Sequence, residues 1–140
     1  MIVDASVILS AFFPDEEQAQ AQALIRAHVA GHERLGAPTL LLYELTHAVL
    51  QATRRERIAV EAGEAIMRAF EGLRIELRPV AWGQMLPLAQ RFDRSAYDAA
   101  YLALAEESGQ EMITADLRLY RAVEGELDWV RWIGDYRVGD

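Results

Sequence analysis

The chain has 140 residues, of which 52% are hydrophobic and 26% charged, so it can bury a core of its own and is too apolar for a disordered segment. It contains no cysteine, which excludes disulfides and thiolate metal sites. The net charge is −8 and every basic residue is arginine, which excludes a broadly basic surface for nucleic acid; phosphate would have to be bound by local arginines or a metal ion.

The N-terminal sequence MIVDAS has an acid at position 4 and no basic run before an apolar segment, unlike a signal peptide. No stretch approaches the roughly 20 consecutive apolar residues of a membrane span. We therefore expect a soluble, cytoplasmic protein without a membrane partner.

The first half of the chain alternates short apolar strands with helices. MIVD is predicted to be a buried strand, and ASVILSAFF a short helix or turn that stops at Pro14. Asp15 and Glu16 are predicted to open the helix EEQAQAQALIRAHVA, which ends at Gly31. RLGAP is predicted to be a brief strand closed by Pro38.

The second half repeats this alternation. TLLLYELTHAVLQATRR is predicted to be a helix capped by Thr39, and RIAVEAGEAIMRAFEG another that stops near Gly72. RIELRPV alternates as a strand does, and AWGQMLPLAQRF is predicted to be a helix kinked at Pro87. The last elements are predicted to be the helix SAYDAAYLALAEESG, ended by Gly109, the strand EMIT, the helix ADLRLYRAV and the strand DWVRWI.

This pattern predicts an α/β fold with a mostly parallel sheet covered by helices on both faces, in one domain spanning residues 1–140. In such sheets ligands bind at the carboxyl ends of the strands. Asp4 ends the first strand, Asp116 directly follows EMIT, and Asp98 lies in the first turn of a helix. All three therefore point to one edge of the sheet.

Each of these three acids also has a structural explanation. Ser95 and Asp98 match the capping-box spacing, and Asp4 and Asp116 each precede a predicted helix that they could cap. Glu44 has no such explanation, because it lies inside LLLYELTHAVL, beyond any capping position. A carboxylate on that apolar face costs several kcal/mol unless it is paired, either with His47 one turn later or with a cation from elsewhere.

Together, Asp4, Glu44, Asp98 and Asp116 indicate a metal site. Converging carboxylates repel one another unless a cation or a proton intervenes. An all-oxygen donor set suits Mg²⁺ or Mn²⁺ rather than zinc, and carboxylate-bound Mg²⁺ commonly serves phosphoryl chemistry. The hydroxyls of Ser6 and Thr114, each two residues from one of these acids, could orient a carboxylate, a metal-bound water or a phosphate oxygen. They could equally be ordinary loop hydroxyls.

The arginines offer candidates for phosphate contact. Arg118 and Arg121 follow Asp116 and are well placed for it, whereas the run containing Arg54, Arg55 and Arg57 is more typical of a solvated face.

Four segments follow one another along almost the whole chain: IVDASVIL, the acid-bearing helix after PTLLLYE, SAYDAAYLALA and MITADLRL. In this the sequence resembles the PIN domain family, and within it the compact VapC-type toxins of toxin–antitoxin pairs. The resemblance implies an α/β/α sandwich whose acids, here Asp4, Glu44, Asp98 and Asp116, share one groove with the hydroxyls of Ser6 and Thr114. It also implies Mg²⁺- or Mn²⁺-dependent cleavage of RNA, a homodimer, and silencing by a cognate antitoxin protein.

On this interpretation Asp4, Asp98 and Asp116 hold one or two metal ions, and Glu44 either orients metal-bound water or takes the proton from the attacking water. The main alternative is a non-catalytic module that binds RNA or protein, for which loss of an acid would be the expected sign. An aspartyl-nucleophile phosphatase is disfavoured, because the chain has Ser6 where a second acid is usual and has no lysine.

Overall fold

The structure is a computed structural model that describes residues 1–138. The predicted domain of residues 1–140 therefore includes two positions, Gly139 and Asp140, that lie outside the described residues.

The centre of the fold is a sheet of five parallel strands in the order β3-β2-β1-β4-β5. The strands are β1 (Ile2–Val3), β2 (Gly36–Pro38), β3 (Glu76–Arg78), β4 (Met112–Thr114) and β5 (Val130–Trp132). From β1 the chain moves through β2 to one edge of the sheet, and it then crosses back to add β4 and β5 on the other side. The strand order thus reverses between β1 and β4, which is the position where open α/β sheets bind ligands.

Helices connect all five strands and complete a three-layer α/β/α sandwich, as the sequence pattern predicted. The two directions of travel across the sheet place helices on its two faces, because parallel crossovers are right-handed. The helices are α1 (Ala5–Phe12), α2 (Ala19–Val29), α3 (Leu40–Arg54), α4 (Val60–Leu73), α5 (Trp82–Phe92), α6 (Ala96–Ser108) and α7 (Leu117–Val123). Within residues 1–138, none of them combines the length and apolarity needed to cross a membrane.

Helix α6 is buried around its whole circumference. Every residue from 99 to 105 is buried, with α5 on one side and strands β1, β2 and β4 on the other. A helix with apolar residues all round is expected in such a position, and the small alanines allow its neighbours to approach closely. The first turn of this central helix carries Asp98 to the sheet edge.

The start of α2 differs from the prediction. The helix begins at Ala19, with the Gln18 side chain accepting a hydrogen bond from the Ala21 amide at 2.8 Å. Asp15 and Glu16 lie in the preceding turn, where both bind the Arg57 guanidinium. A cation from another part of the chain therefore sets the position of these acids, and a glutamine takes the capping role.

Two other helix ends lie at, or within one residue of, the predicted positions, but their local structure differs from a standard cap. Thr39 stands at the N-cap of α3, but its backbone is helical and its side chain makes no capping hydrogen bond. Helix α4 continues past Gly72 to Leu73 and ends through Arg74, which adopts a left-handed conformation with φ of 53°.

The contact between α3 and α4 depends on Gly63. A Cβ atom at this position would lie 2.8 Å from Val49 Cγ1 and 3.2 Å from Thr53 Cγ2. We expect Gly63→Ala to lower the free energy of unfolding by roughly 1–3 kcal/mol, because the two helices must separate. Gly72→Ala in the same helix is the control, since its Cβ would meet nothing within 4 Å and alanine favours helix by about 0.5–1 kcal/mol. Urea denaturation of both variants measures this difference, and equal stabilities would contradict the tight contact.

Candidate active site

Asp4 is a buried carboxylate at the carboxyl end of β1, with 5% of its surface exposed. Its Oδ1 accepts hydrogen bonds from Ser6 Oγ at 2.5 Å and from the Val7 amide at 3.3 Å, so it caps α1. Its Oδ2 accepts a hydrogen bond from Thr114 Oγ1 at 2.5 Å. Asp4 therefore caps a helix and also accepts hydrogen bonds from two hydroxyls, one in the first turn of α1 and one at the end of β4.

The hydroxyls of Ser6 and Thr114 connect the first turn of α1 with the end of β4. Ser6 Oγ accepts a hydrogen bond from the Ala115 amide at 2.9 Å, and Thr114 Oγ1 accepts one from the Asp116 amide at 3.0 Å. The two hydroxyl oxygens are 3.4 Å apart. Each hydroxyl thus orients the Asp4 carboxylate on one side and the loop after β4 on the other.

Asp116 follows that loop and caps α7. Its Oδ1 accepts hydrogen bonds from the amides of Arg118 at 3.0 Å and Leu119 at 3.3 Å. The carboxylate remains partly exposed. The Arg118 side chain, predicted to contact phosphate, is exposed in the first turn of α7.

Asp98 is not used as a helix cap. Its amide donates a hydrogen bond to Ser95 Oγ at 3.0 Å, and this is the part of the capping box formed within the described residues. Partial burial raises the pKa of the Asp98 carboxyl, repulsion from Asp116 raises it further, and Arg94 opposes both effects. The half-buried carboxylate is therefore available at the sheet edge.

Glu44 is paired with Tyr101 rather than with His47. The Tyr101 hydroxyl donates a hydrogen bond to Glu44 Oε1 at 2.5 Å. The His47 side chain is exposed, with its Nε2 atom 3.4 Å from Gln51 Nε2. Sequence reasoning overlooked Tyr101, although its place three residues after Asp98 puts both side chains on one face of α6.

The electrostatic environment links the four acids. Burial raises the pKa of Asp4 to about 6 against its hydrogen bonds, and the charge of Asp116 contributes to the increase. Asp116 also raises the pKa of Asp98. Burial raises the pKa of Glu44, the Tyr101 hydrogen bond opposes this, and the charge of Asp98 adds to it. Each acid thus repels at least one other across the carboxyl edge of the sheet.

These residues fit a hard divalent cation in their chemistry. Their donors are carboxylate and hydroxyl oxygens, and a cation would offset the burial and the repulsion that raise the pKa values of Asp4, Glu44 and Asp98. Among residues 1–138, no three acidic or histidine side chains are already grouped closely enough to form a complete cage. Mg²⁺ does not need such a cage, because it usually keeps several waters and binds one or two carboxylates.

The raised pKa of Asp4 predicts how stability depends on pH in metal-free protein. A carboxyl whose pKa rises from 3.8 in the unfolded chain to about 6 in the fold stabilises the protein when protonated. This contribution is complete below about pH 4 and is lost as the pH rises through 6. The asparagine in Asp4→Asn stays uncharged at every pH. We therefore expect its free energy of unfolding to exceed that of the wild type by about 3 kcal/mol at pH 7.5 and to be nearly equal at pH 4.

Urea denaturation in EDTA at both pH values tests this expectation. The difference in the free energy of unfolding between the two proteins gives the contribution of Asp4, because every other titrating group is present in both. Parallel pH profiles would show that burial does not destabilise the charged Asp4 carboxylate.

Comparison with known proteins identifies the relatives of this chain. A sequence model of the PIN domain matches residues 1–125. VapC ribonuclease Mb0985 of Mycobacterium bovis is 34% identical over 119 residues, which cover 85% of this chain and 87% of that protein. Ribonuclease VapC3 of Pyrobaculum aerophilum is 31% identical over 123 residues, which cover 85% of this chain and 91% of that protein.

A solved structure has the same fold. The crystal structure of PAE2754 from Pyrobaculum aerophilum matches with a TM-score of 0.70 and 20% identity, covering 95% of this chain and 90% of that one. Since the domain model and the curated relatives both cover most of the sequence, the chain belongs to the PIN domain family.

Proposed function

We propose that this protein is a metal-dependent endoribonuclease and the toxin of a type II toxin–antitoxin pair. The observation that carries the proposal is the set of mutually repelling carboxylates at the β1–β4 reversal, formed by Asp4, Glu44, Asp98 and Asp116. The names of the relatives, which describe them as VapC ribonucleases, support the same activity.

Asp4, Asp98 and Asp116 hold Mg²⁺ or Mn²⁺ in this proposal. When bound, such an ion lowers the pKa of a coordinated water and neutralises charge on the phosphoryl oxygens. Ser6 and Thr114 keep the Asp4 carboxylate in one orientation, since they donate to its two oxygens at 2.5 Å. The Asp116 carboxylate is oriented by the first amides of α7.

Glu44 accepts the proton from the water that attacks the scissile phosphate. Burial and the neighbouring charge of Asp98 raise its pKa above the ordinary value of a glutamate, which makes it a stronger base. Tyr101 occupies Glu44 Oε1, so that Oε2 remains for the water. Arg118, exposed at the start of α7, contacts an RNA phosphate beside Asp116. The net charge of −8 makes such local attraction necessary.

The same proposal includes a homodimer, a cognate antitoxin protein and a cytoplasmic location. The groove between α3 and α4 is an apolar surface suited to a protein partner, because Leu50 and Val60 beside it are 39% and 59% exposed. Purification with the product of a neighbouring small gene tests the antitoxin, and light scattering tests the dimer.

Removing one acid tests the catalytic site. We expect Asp98→Asn to lower RNA cleavage by at least about 100-fold, because the site loses a metal ligand while the α6 helix keeps its Ser95 cap. Asp128→Asn is the control, since it removes the same charge from an exposed position before β5, at the opposite edge of the sheet. Cleavage of a fluorescent RNA by both purified variants measures the effect. Full activity in a folded Asp98→Asn protein would end the proposal.

Metal removal is the second test. We expect EDTA to abolish cleavage and Mg²⁺ or Mn²⁺ to restore it, because Glu44 can accept a proton but cannot neutralise the charge on the phosphoryl oxygens without the ion. The Asp98→Asn variant serves as the background for contaminating ribonuclease. Cleavage that continues unchanged in EDTA would contradict metal dependence.

A further inference from the structure

Tyr101 makes an unusual contact for a core tyrosine. Its side chain is 2% exposed within the fully buried stretch of α6, yet its hydroxyl donates to the carboxylate of Glu44, 57 residues away, at 2.5 Å. The acceptor is the side chain of Glu44, which is itself only partly exposed. This bond joins the central helix α6 to α3 at the edge of the sheet where the acids lie.

The proton of this bond belongs to Tyr101. Burial raises the pKa of Tyr101 far above its ordinary value, and the charges of Glu44 and Asp4 raise it further. The hydroxyl therefore remains protonated under any assay condition and acts as a donor to Glu44. Such a group does not exchange protons with substrate, so its contribution has to come through the position of the carboxylate that it binds.

Glu44 needs such a donor. It lies on α3 with three rotatable side-chain bonds, and the charge of Asp98 repels its carboxylate, so that a fixed donor is needed to keep it near Asp98. The Tyr101 ring is packed on all sides in the core, so its hydroxyl has one position. Because Tyr101 and Asp98 lie on one face of α6, the same rigid helix places the donor to Glu44 and the acid that repels it.

The geometry points to Tyr101 as a positioning residue of the nuclease site, whose hydroxyl holds the Glu44 carboxylate beside Asp98 with Oε2 toward the attacking water. This inference rests on the proposed function. A tyrosine that served the core alone would act through its ring, and the loss of its hydroxyl would not change the rate of the chemical step.

Tyr101→Phe is the direct test, because it removes the hydroxyl and keeps the ring in the core. We expect kcat for cleavage of a fluorescent RNA with Mg²⁺ to fall roughly 10- to 100-fold, the effect of a misplaced catalytic group, while KM changes less than about twofold. The matched control is Tyr43→Phe, which removes an exposed hydroxyl next to Glu44 on α3 and should cleave as the wild type does. Thermal unfolding confirms that both variants fold.

A second variant separates positioning from general damage. In a Glu44→Gln background, Tyr101→Phe should lower kcat by less than about twofold, because the carboxylate that it positions is already gone. If Tyr101→Phe does not fold although it keeps the ring, the hydroxyl serves the fold itself and the positioning inference is wrong.

The outcomes distinguish this inference from the proposed function. If the wild type cleaves RNA and Tyr101→Phe matches Tyr43→Phe, the positioning role is wrong and the nuclease remains. The same conclusion follows if the full loss persists in the Glu44→Gln background. If the wild type cleaves no RNA with Mg²⁺ or Mn²⁺, the proposed function is wrong and the positioning role falls with it.

Discussion

Repulsion among carboxylates at the carboxyl edge of β1 and β4 is the interaction on which the rest of the site depends. The sheet brings Asp4 and Asp116 together because their strands are neighbours, and α6 adds Asp98 to the same edge. Burial and mutual charge raise the pKa of Asp4 to about 6, so the apo protein tolerates an ionised group that its interior disfavours. A divalent cation would bind to these charged carboxylates and offset the free energy cost of burying them, so its binding would also stabilise the fold.

Helix capping and metal binding are compatible roles for the same acids. Asp4 caps α1 through Oδ1 and Asp116 caps α7 through Oδ1, while the second oxygen of Asp4 accepts a hydrogen bond from the Thr114 hydroxyl at the same edge of the sheet. The backbone amides that donate these capping hydrogen bonds also hold the carboxylates in place. Asp98 differs, because Ser95 supplies the cap and leaves the acid available. The hydrogen bonds that cap these helices thus also orient the carboxylates of the candidate site.

Much of the fold could be predicted because its signals are local. Apolar runs, prolines and glycines located the five strands and the seven α-helices, the first of them as a helix or a turn, but not the 3-10 helix Ile133–Asp135; strand ends located Asp4 and Asp116. The start of α2 was wrong because Arg57, distant in sequence, binds Asp15 and Glu16. The partner of Glu44 was missed for the same reason, since a tyrosine in a helix repeat looks like any other core residue.

The sequence by itself determined which segments form strands and helices, and that three acids stand where such elements begin or end. It also marked Glu44 as a charge in need of a partner. Only the tertiary structure decided that β4 lies beside β1, so that Thr114 reaches Asp4 across 110 positions, and that α6 carries Tyr101 to Glu44. The physical reason is range: backbone hydrogen bonds and hydrophobic periodicity act over a few residues, whereas strand order and side-chain pairing follow from burying the whole core at once.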